Sequence, residues 1–148
     1  MSRKRQCWQT TIQALFASSI SILAGSLGWT QIAPSQGRVI EILADHDSRY
    51  KIEGQKQPAV TVRAGEQITL RITAKKAKTL NRDGSIHGFS LLRAKDRKPV
   101  PEWDFLLKPG TQEFTLAAPS EPGEYVVVCT VICSQDHEGM SMKFVVLP

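Results

Sequence analysis

From Arg38 to Pro148 the chain alternates apolar and polar residues with a period of two, and nothing in this stretch repeats as a long helix would. RVIEIL comes first, then AVTVR, the turn AGEQ, and ITLRIT, where Ile68, Leu70 and Ile72 share one face. A polar, basic stretch, AKKAKTLNRDGS, precedes the short apolar IHGFSLL. PEWDFLL then runs into the turn KPG, and TQEFTLA into the turn APSEPG. EYVVVCTVI and MKFVVL close the chain around a polar loop. Short β-branched runs broken by Pro and Gly predict an antiparallel sandwich or barrel rather than a βαβ fold. The pattern leaves residues 74–86 open between a loop and a single helical turn. A chain of 148 residues, 41% hydrophobic and 22% charged, has room for one such domain and a short appendage.

The appendage reads as an export or anchoring segment. Arg3, Lys4 and Arg5 lead a charge-free run from Gln6 to Gly37, whose apolar heart is IQALFASSISILAGSLGW, Ile12 to Trp29. Its length suits a hydrocarbon core, although Gln13 and four serines weaken it as a span, and a secretory signal or a buried helix fits as well. We therefore expect residues 1–37 to be a signal peptide or a single membrane anchor, in either case helical. Residues 38–148 are expected as a domain outside the cytoplasm, because the basic head stays inside. Cys7 precedes the apolar run and is given no role. Three of the 19 basic residues lie in that head, and no acid precedes Arg38. The remaining 16 basic and 14 acidic side chains leave the domain at +2, too weak a bias to suggest nucleic acid.

The chemistry gathers in CTVICSQDHEGM, Cys129 to Met140. Cysteine is a small hydrophobe and methionine fills gaps, so either alone would read as core. A polar, turn-forming loop is a poor place for a core, however. An exported domain also allows a Cys129–Cys133 disulfide, which would leave His137 and Met140 unexplained. Two thiols, an imidazole and a thioether on one loop point to a soft metal. Copper suits that set better than zinc, which has little use for a thioether.

The spacing Cys-x3-Cys-x3-His-x2-Met resembles the binuclear copper motif, called CuA, of cytochrome c oxidase subunit II and of nitrous oxide reductase. His87, in SIHGFSL, precedes Cys129 at the interval that family shows, and KPGTQEFTLAAPSEPGEYVVVC is similar to its approach to the first cysteine. The resemblance covers about residues 38–148 and implies a Greek-key β-sandwich of cupredoxin type. It also implies two copper ions bridged by the thiolates of Cys129 and Cys133. His87 and His137 would each bind one copper, Met140 would be a weak axial ligand on the copper of His87, and the Val131 carbonyl would take the matching place on the other. The implied function is one-electron transfer, from a c-type cytochrome or similar small donor to the catalytic subunit of a haem-copper terminal oxidase. Oxygen chemistry would belong to that partner. Subunit II commonly carries Glu at the position of Val131 and glycine at that of Ser134. Its electron-entry aromatic cluster has no obvious counterpart here.

Two alternatives stay open on the residues. His87, Cys133, His137 and Met140 would suffice for a mononuclear blue site, and the same set could serve a copper-delivery or storage protein. Elsewhere, His46 in ADHDSRY reads as a solvated loop histidine, and Trp103 as core. Basic residues on both sides of His87, from Lys75, Lys76, Lys78 and Arg82 to Arg93, Lys95, Arg97 and Lys98, suggest a rim that steers an acidic partner.

Overall fold

A computed structural model describes residues 37–76, 81–135 and 137–148, apart from the side chain of His137. The segment expected to be a signal or anchor lies outside the described residues, Gly37 apart, as do Cys7 and Lys78. Among the described residues there are nine strands in two sheets. In chain order they are β1 (Arg38–Asp45), β2 (Arg49–Lys51), β3 (Ala59–Arg63), β4 (Gln67–Ala74), β5 (His87–Arg93), β6 (Pro99–Leu107), β7 (Gly110–Ala117), β8 (Gly123–Val128) and β9 (Ser141–Leu147). One sheet has the order β2-β1-β4-β7 and the other β3-β9-β8-β5-β6. The chain crosses between them after β2, β3, β4, β6 and β7, giving a Greek-key sandwich.

The period-two pattern does the folding work. In β4, Ile68, Leu70 and Ile72 are each fully buried, while Thr69, Arg71 and Thr73 turn outward. From the facing sheet Phe89, Leu91, Val127, Phe144 and Val146 meet them in one core. Trp103 joins that core, 3% exposed, with its ring edge-on to Phe144 at 5.2 Å. β5 is buried from His87 to Leu91, one face under the other sheet and Gly88 and Ser90 against Thr130 of the loop after β8.

The sandwich departs from the expected antiparallel one in two pairings. β1 runs parallel to β4, and β3 runs parallel to β9. Each pair is joined through strands of the opposite sheet, which supplies the long crossover that parallel neighbours require. β2 has no apolar signature, since RYK follows a charged hairpin, yet it pairs with β1 from Leu43 to Asp45. Within 74–86 the described residues form a turn at Asn81–Gly84, closed by Gly84 N–H donating to the Asn81 carbonyl at 2.9 Å.

Replacing Leu70 with alanine should cost about 2–5 kcal/mol of stability, the usual range for a buried leucine. Arg71→Ala, which removes only exposed ion pairs to Glu41 and Glu113, should cost under about 1 kcal/mol. Urea unfolding of the two variants checks the contrast, and similar losses would contradict the assigned faces.

Candidate metal centre

The inward alternation of β8 does not stop where the strand stops. Tyr125 and Val127 point into the core, and Cys129, Val131 and Cys133 continue the buried series while Thr130 and Ile132 are exposed. A straight strand would hold residues four apart at roughly 13 Å. Here the Cys129 and Cys133 sulfurs lie 3.8 Å apart. The chain must therefore curl, and strand pairing ends at Val128, short of the run EYVVVCTVI that the sequence suggested. The Cys129 thiol lies 3.2 Å from the Val131 carbonyl inside the curl. At the loop's far end a short 3-10 turn, His137–Gly139, leads to Met140. The Met140 carbonyl accepts from the Cys129 N–H at 3.1 Å, which ties the two ends together, and its side chain is fully buried. None of the described side chains of SQDHEG is buried, as its polarity predicts, whereas Cys129, Val131, Cys133 and Met140 on either side of it belong to the core.

His87 stands at the start of β5, the strand that pairs with β8 in the same sheet. It is fully buried, and its donor nitrogen and the two sulfurs all lie within 4.8 Å of one another. Its Nε2 sits 3.2 Å from the Lys75 carbonyl, an acceptor, which fixes the proton on Nε2. That leaves the lone pair on Nδ1. Among the described residues, Nδ1 is the buried side-chain nitrogen or oxygen without a hydrogen-bond partner. Burial disfavours the imidazolium and lowers the pKa of His87, so the ring is neutral. Burial likewise pushes the Cys129 thiol up to about 11, against the opposing pull of Gly88 N–H, which donates to its sulfur at 3.2 Å. The two cysteines are free thiols, so no disulfide joins them.

Of the six residues singled out from the sequence, the structure thus gathers His87, Cys129 and Cys133, with the Val131 carbonyl beside them and Met140 buried at the loop's end. The side chain of His137 lies outside the described residues. Several supporting groups gave no signal in the sequence. Tyr50 is buried, and its hydroxyl donates to the Gly88 carbonyl while its ring packs edge-on to Phe89. Ser48 reaches Cys133 and Ser134 from the β1–β2 hairpin. Asp45, also buried, is bonded by Lys51 Nζ at 2.6 Å and by the His46 backbone N–H at 2.8 Å. His46 itself is exposed, as expected, with its ring against the same carboxylate at 2.7 Å.

The second run of the expected basic rim lies away from the site. Lys75 begins the segment after β4 and lies near Asp45 at 3.8 Å, beside His87. Arg93 ends β5, roughly 20 Å along the strand from His87. Its hairpin neighbours are engaged there with acids: Arg93 and Lys95 with Glu121, and Lys98 with Asp96. Proximity in sequence on either side of a strand's two ends becomes separation in space.

A side chain at Gly88 would collide with the loop, because an added Cβ would stand 2.5 Å from Thr130 Oγ1 and 2.8 Å from its nitrogen. Gly88→Ala should cost about 1–3 kcal/mol, as overpacking does, in chemical denaturation of the metal-free protein. Asp45 supplies a pH-dependent counterpart. The Lys51 ammonium holds its carboxyl well below the usual range, so its stabilisation is present above the unfolded pKa and is lost as pH falls through the folded one. Asp45→Asn should therefore cost about 1–3 kcal/mol at neutral pH, with the gap to the parent closing below about pH 4. Urea midpoints at neutral and acid pH measure it, and a gap constant with pH would contradict the role.

No known family profile and no curated protein matches the chain. Solved structures do. Auracyanin A from Chloroflexus aurantiacus is 21% identical, with a TM-score of 0.52 over 74% of this chain and 98% of its own. Auracyanin B is 18% identical, with a TM-score of 0.50 over 79% of this chain and 94% of its own. Rusticyanin from Thiobacillus ferrooxidans is also 18% identical, with a TM-score of 0.50 over 76% of this chain and 79% of its own. At such identities the likeness speaks for the fold alone, and the fold is the Greek-key sandwich of the cupredoxins.

Proposed function

We propose that residues 38–148 are a copper-binding electron-transfer domain with a binuclear CuA centre. The observation that carries this reading is the burial of His87, its Nδ1 without a partner, where a ring nitrogen and two free thiols all lie within 4.8 Å of one another. A neutral imidazole nitrogen with sulfur donors is a soft set, which favours copper. Auracyanin A is described as a blue copper protein and rusticyanin as a copper protein, and both share the fold. Cys129 and Cys133 would hold the copper as thiolates, with His87 and His137 as imidazole ligands, one to each ion, and the Met140 thioether and Val131 carbonyl as weaker donors.

Copper, when bound, supplies a one-electron couple whose charge is shared with both sulfurs. The chain's own residues do the rest. Cys129 gives up its proton, and Gly88 N–H then donates to the resulting thiolate. The Lys75 carbonyl holds the His87 ring in one tautomer. Burial of Met140, Cys133 and His87 excludes water from the site. His87 and the loop hang from neighbouring strands of one sheet, β5 and the β8–β9 pair, which limits rearrangement when an electron arrives. In this reading the electron comes from a c-type cytochrome or a similar small donor. It passes to the catalytic subunit of a haem-copper oxidase, outside the cytoplasm, with the N-terminal segment exporting or tethering the domain.

Metal analysis of copper-loaded 148-residue chain should give two copper ions per chain. Its spin-resonance spectrum should show the multiplet of one electron shared by two copper nuclei. The multiplet of a single nucleus would overturn the binuclear reading in favour of a mononuclear blue site, and rapid loss of copper to a mild chelator would favour delivery or storage. Cys133→Ser should abolish the native spectrum. Met140→Leu should keep copper bound and raise the reduction potential, because the axial contact is weak. An unchanged potential would remove Met140 from the ligand set.

A further inference from the structure

The hairpin between β1 and β2 pairs Asp45 with Arg49, leaving His46, Asp47 and Ser48 as its loop. Ser48 N–H donates to the Asp45 carbonyl at 3.1 Å, and Ser48 takes the left-handed conformation with φ of 58°. Three-residue hairpin loops commonly end on such a residue, and glycine is the one that adopts it without steric cost. Serine pays that cost here, and it is also buried, 3% exposed, in a loop whose neighbours His46 and Asp47 face solvent. Its hydroxyl explains the choice. Oγ lies 2.7 Å from Ser134 Oγ and 3.7 Å from the Cys133 sulfur. A strained residue held against a functional loop is a pointer to function.

We propose that Ser48 is a positioning residue for Cys133, donating its hydroxyl proton to the sulfur while accepting from Ser134. A thiolate only accepts, so once Cys133 binds metal the direction of this relay is fixed: Ser134 Oγ–H to Ser48, and Ser48 Oγ–H to the sulfur. Two consequences follow. In the metal-free protein the bond holds the Cys133 sulfur in place. Forming a disulfide would require the sulfurs to close from 3.8 Å to about 2.05 Å and so to break that hold. In the metal-bound protein the donated proton stabilises the more electron-rich, reduced sulfur, raising the potential. The second consequence rests on the copper reading above; the first does not.

The test compares Ser48→Gly and Ser48→Ala with the parent, all carrying Cys7→Ser so that only the loop thiols react. Glycine removes the hydroxyl and suits the backbone; alanine removes the hydroxyl and keeps the strain. Metal-free protein is treated with oxidised glutathione, whose two-electron reduction yields two glutathione thiols and one Cys129–Cys133 disulfide. Both variants should form the disulfide about fivefold faster than the parent, the equilibrium worth of one lost hydrogen bond. Ser48→Gly should do so with undiminished thermal stability. Both copper-loaded variants should also show a lower reduction potential. Exchange at the parent rate in both variants would overturn the positioning role, and so would a faster rate in alanine alone, which would assign the effect to the backbone. If the chain takes up no copper the proposed function fails, and the exchange rates still decide the role of Ser48.

Discussion

An imidazole nitrogen taken out of water without a partner is a standing penalty of about 1–3 kcal/mol, and a fold carries one only where something other than stability holds it in place. Nδ1 of His87 is such an atom. Its companion Nε2 is bonded to a backbone carbonyl that can only accept, so the tautomer leaves no freedom to relieve the penalty by turning the ring. The rest of the site is arranged around that direction. Two sulfurs that could have paired with each other instead stay free within 4.8 Å of a ring nitrogen of His87, and one of them receives an amide hydrogen bond. Such a bond strengthens when sulfur becomes a thiolate, which puts the stabilisation on the charged, metal-binding form.

How much of this was visible before the structure depends on the length scale of each signal. Alternation in ITLRIT marked the inward face of β4, because each residue reports its own side. The spacing of Cys129, Cys133 and Met140 marked the loop, because ligands close in sequence must share it. The curl was not visible: EYVVVCTVIC keeps its alternation unbroken past the strand's end, and only the Sγ–Sγ approach reveals the bend. β2 was hidden because its three residues follow Asp45-His46-Asp47 and carry their own charges. The parallel partners of β1 and β3 were hidden because nothing local encodes which strand arrives from the other sheet. The second run of the supposed basic rim misled for the opposite reason. Two runs that sit close in sequence to His87 are held apart by the full length of β5.

Long-range partners were the least legible part of the site and the most telling. Tyr50 lies far in sequence from Gly88, and Ser48 farther still from Cys133, yet both touch the groups that frame the sulfurs. A buried tyrosine needs an acceptor for its hydroxyl, and a buried serine needs partners for its own, so each is informative only once its burial is known.

The supporting hydrogen bonds also stiffen the corner of the sandwich that holds the site, which suits the proposed electron transfer. Lys75 N–H bonds to the Ala44 carbonyl at 2.9 Å, Lys75 C=O accepts from His87, and the Asp45 carboxylate ties Lys51 of β2 to the same corner. Asp45 is therefore one covalent neighbour and two hydrogen bonds from the ring of His87, and its carbonyl also closes the hairpin that delivers Ser48 to Cys133. The histidine side and the sulfur side of the site both trace back to the end of β1, through the backbone carbonyls of Ala44 and Asp45, although no residue of that hairpin need touch a metal. A frame fixed in this way resists relative motion of His87 and the loop, because moving either one breaks charge-assisted bonds in a protected environment. Resistance to rearrangement is the property that electron transfer asks of its scaffold. In this chain it is supplied less by the ligand loop itself than by the hairpin and strand ends packed behind it.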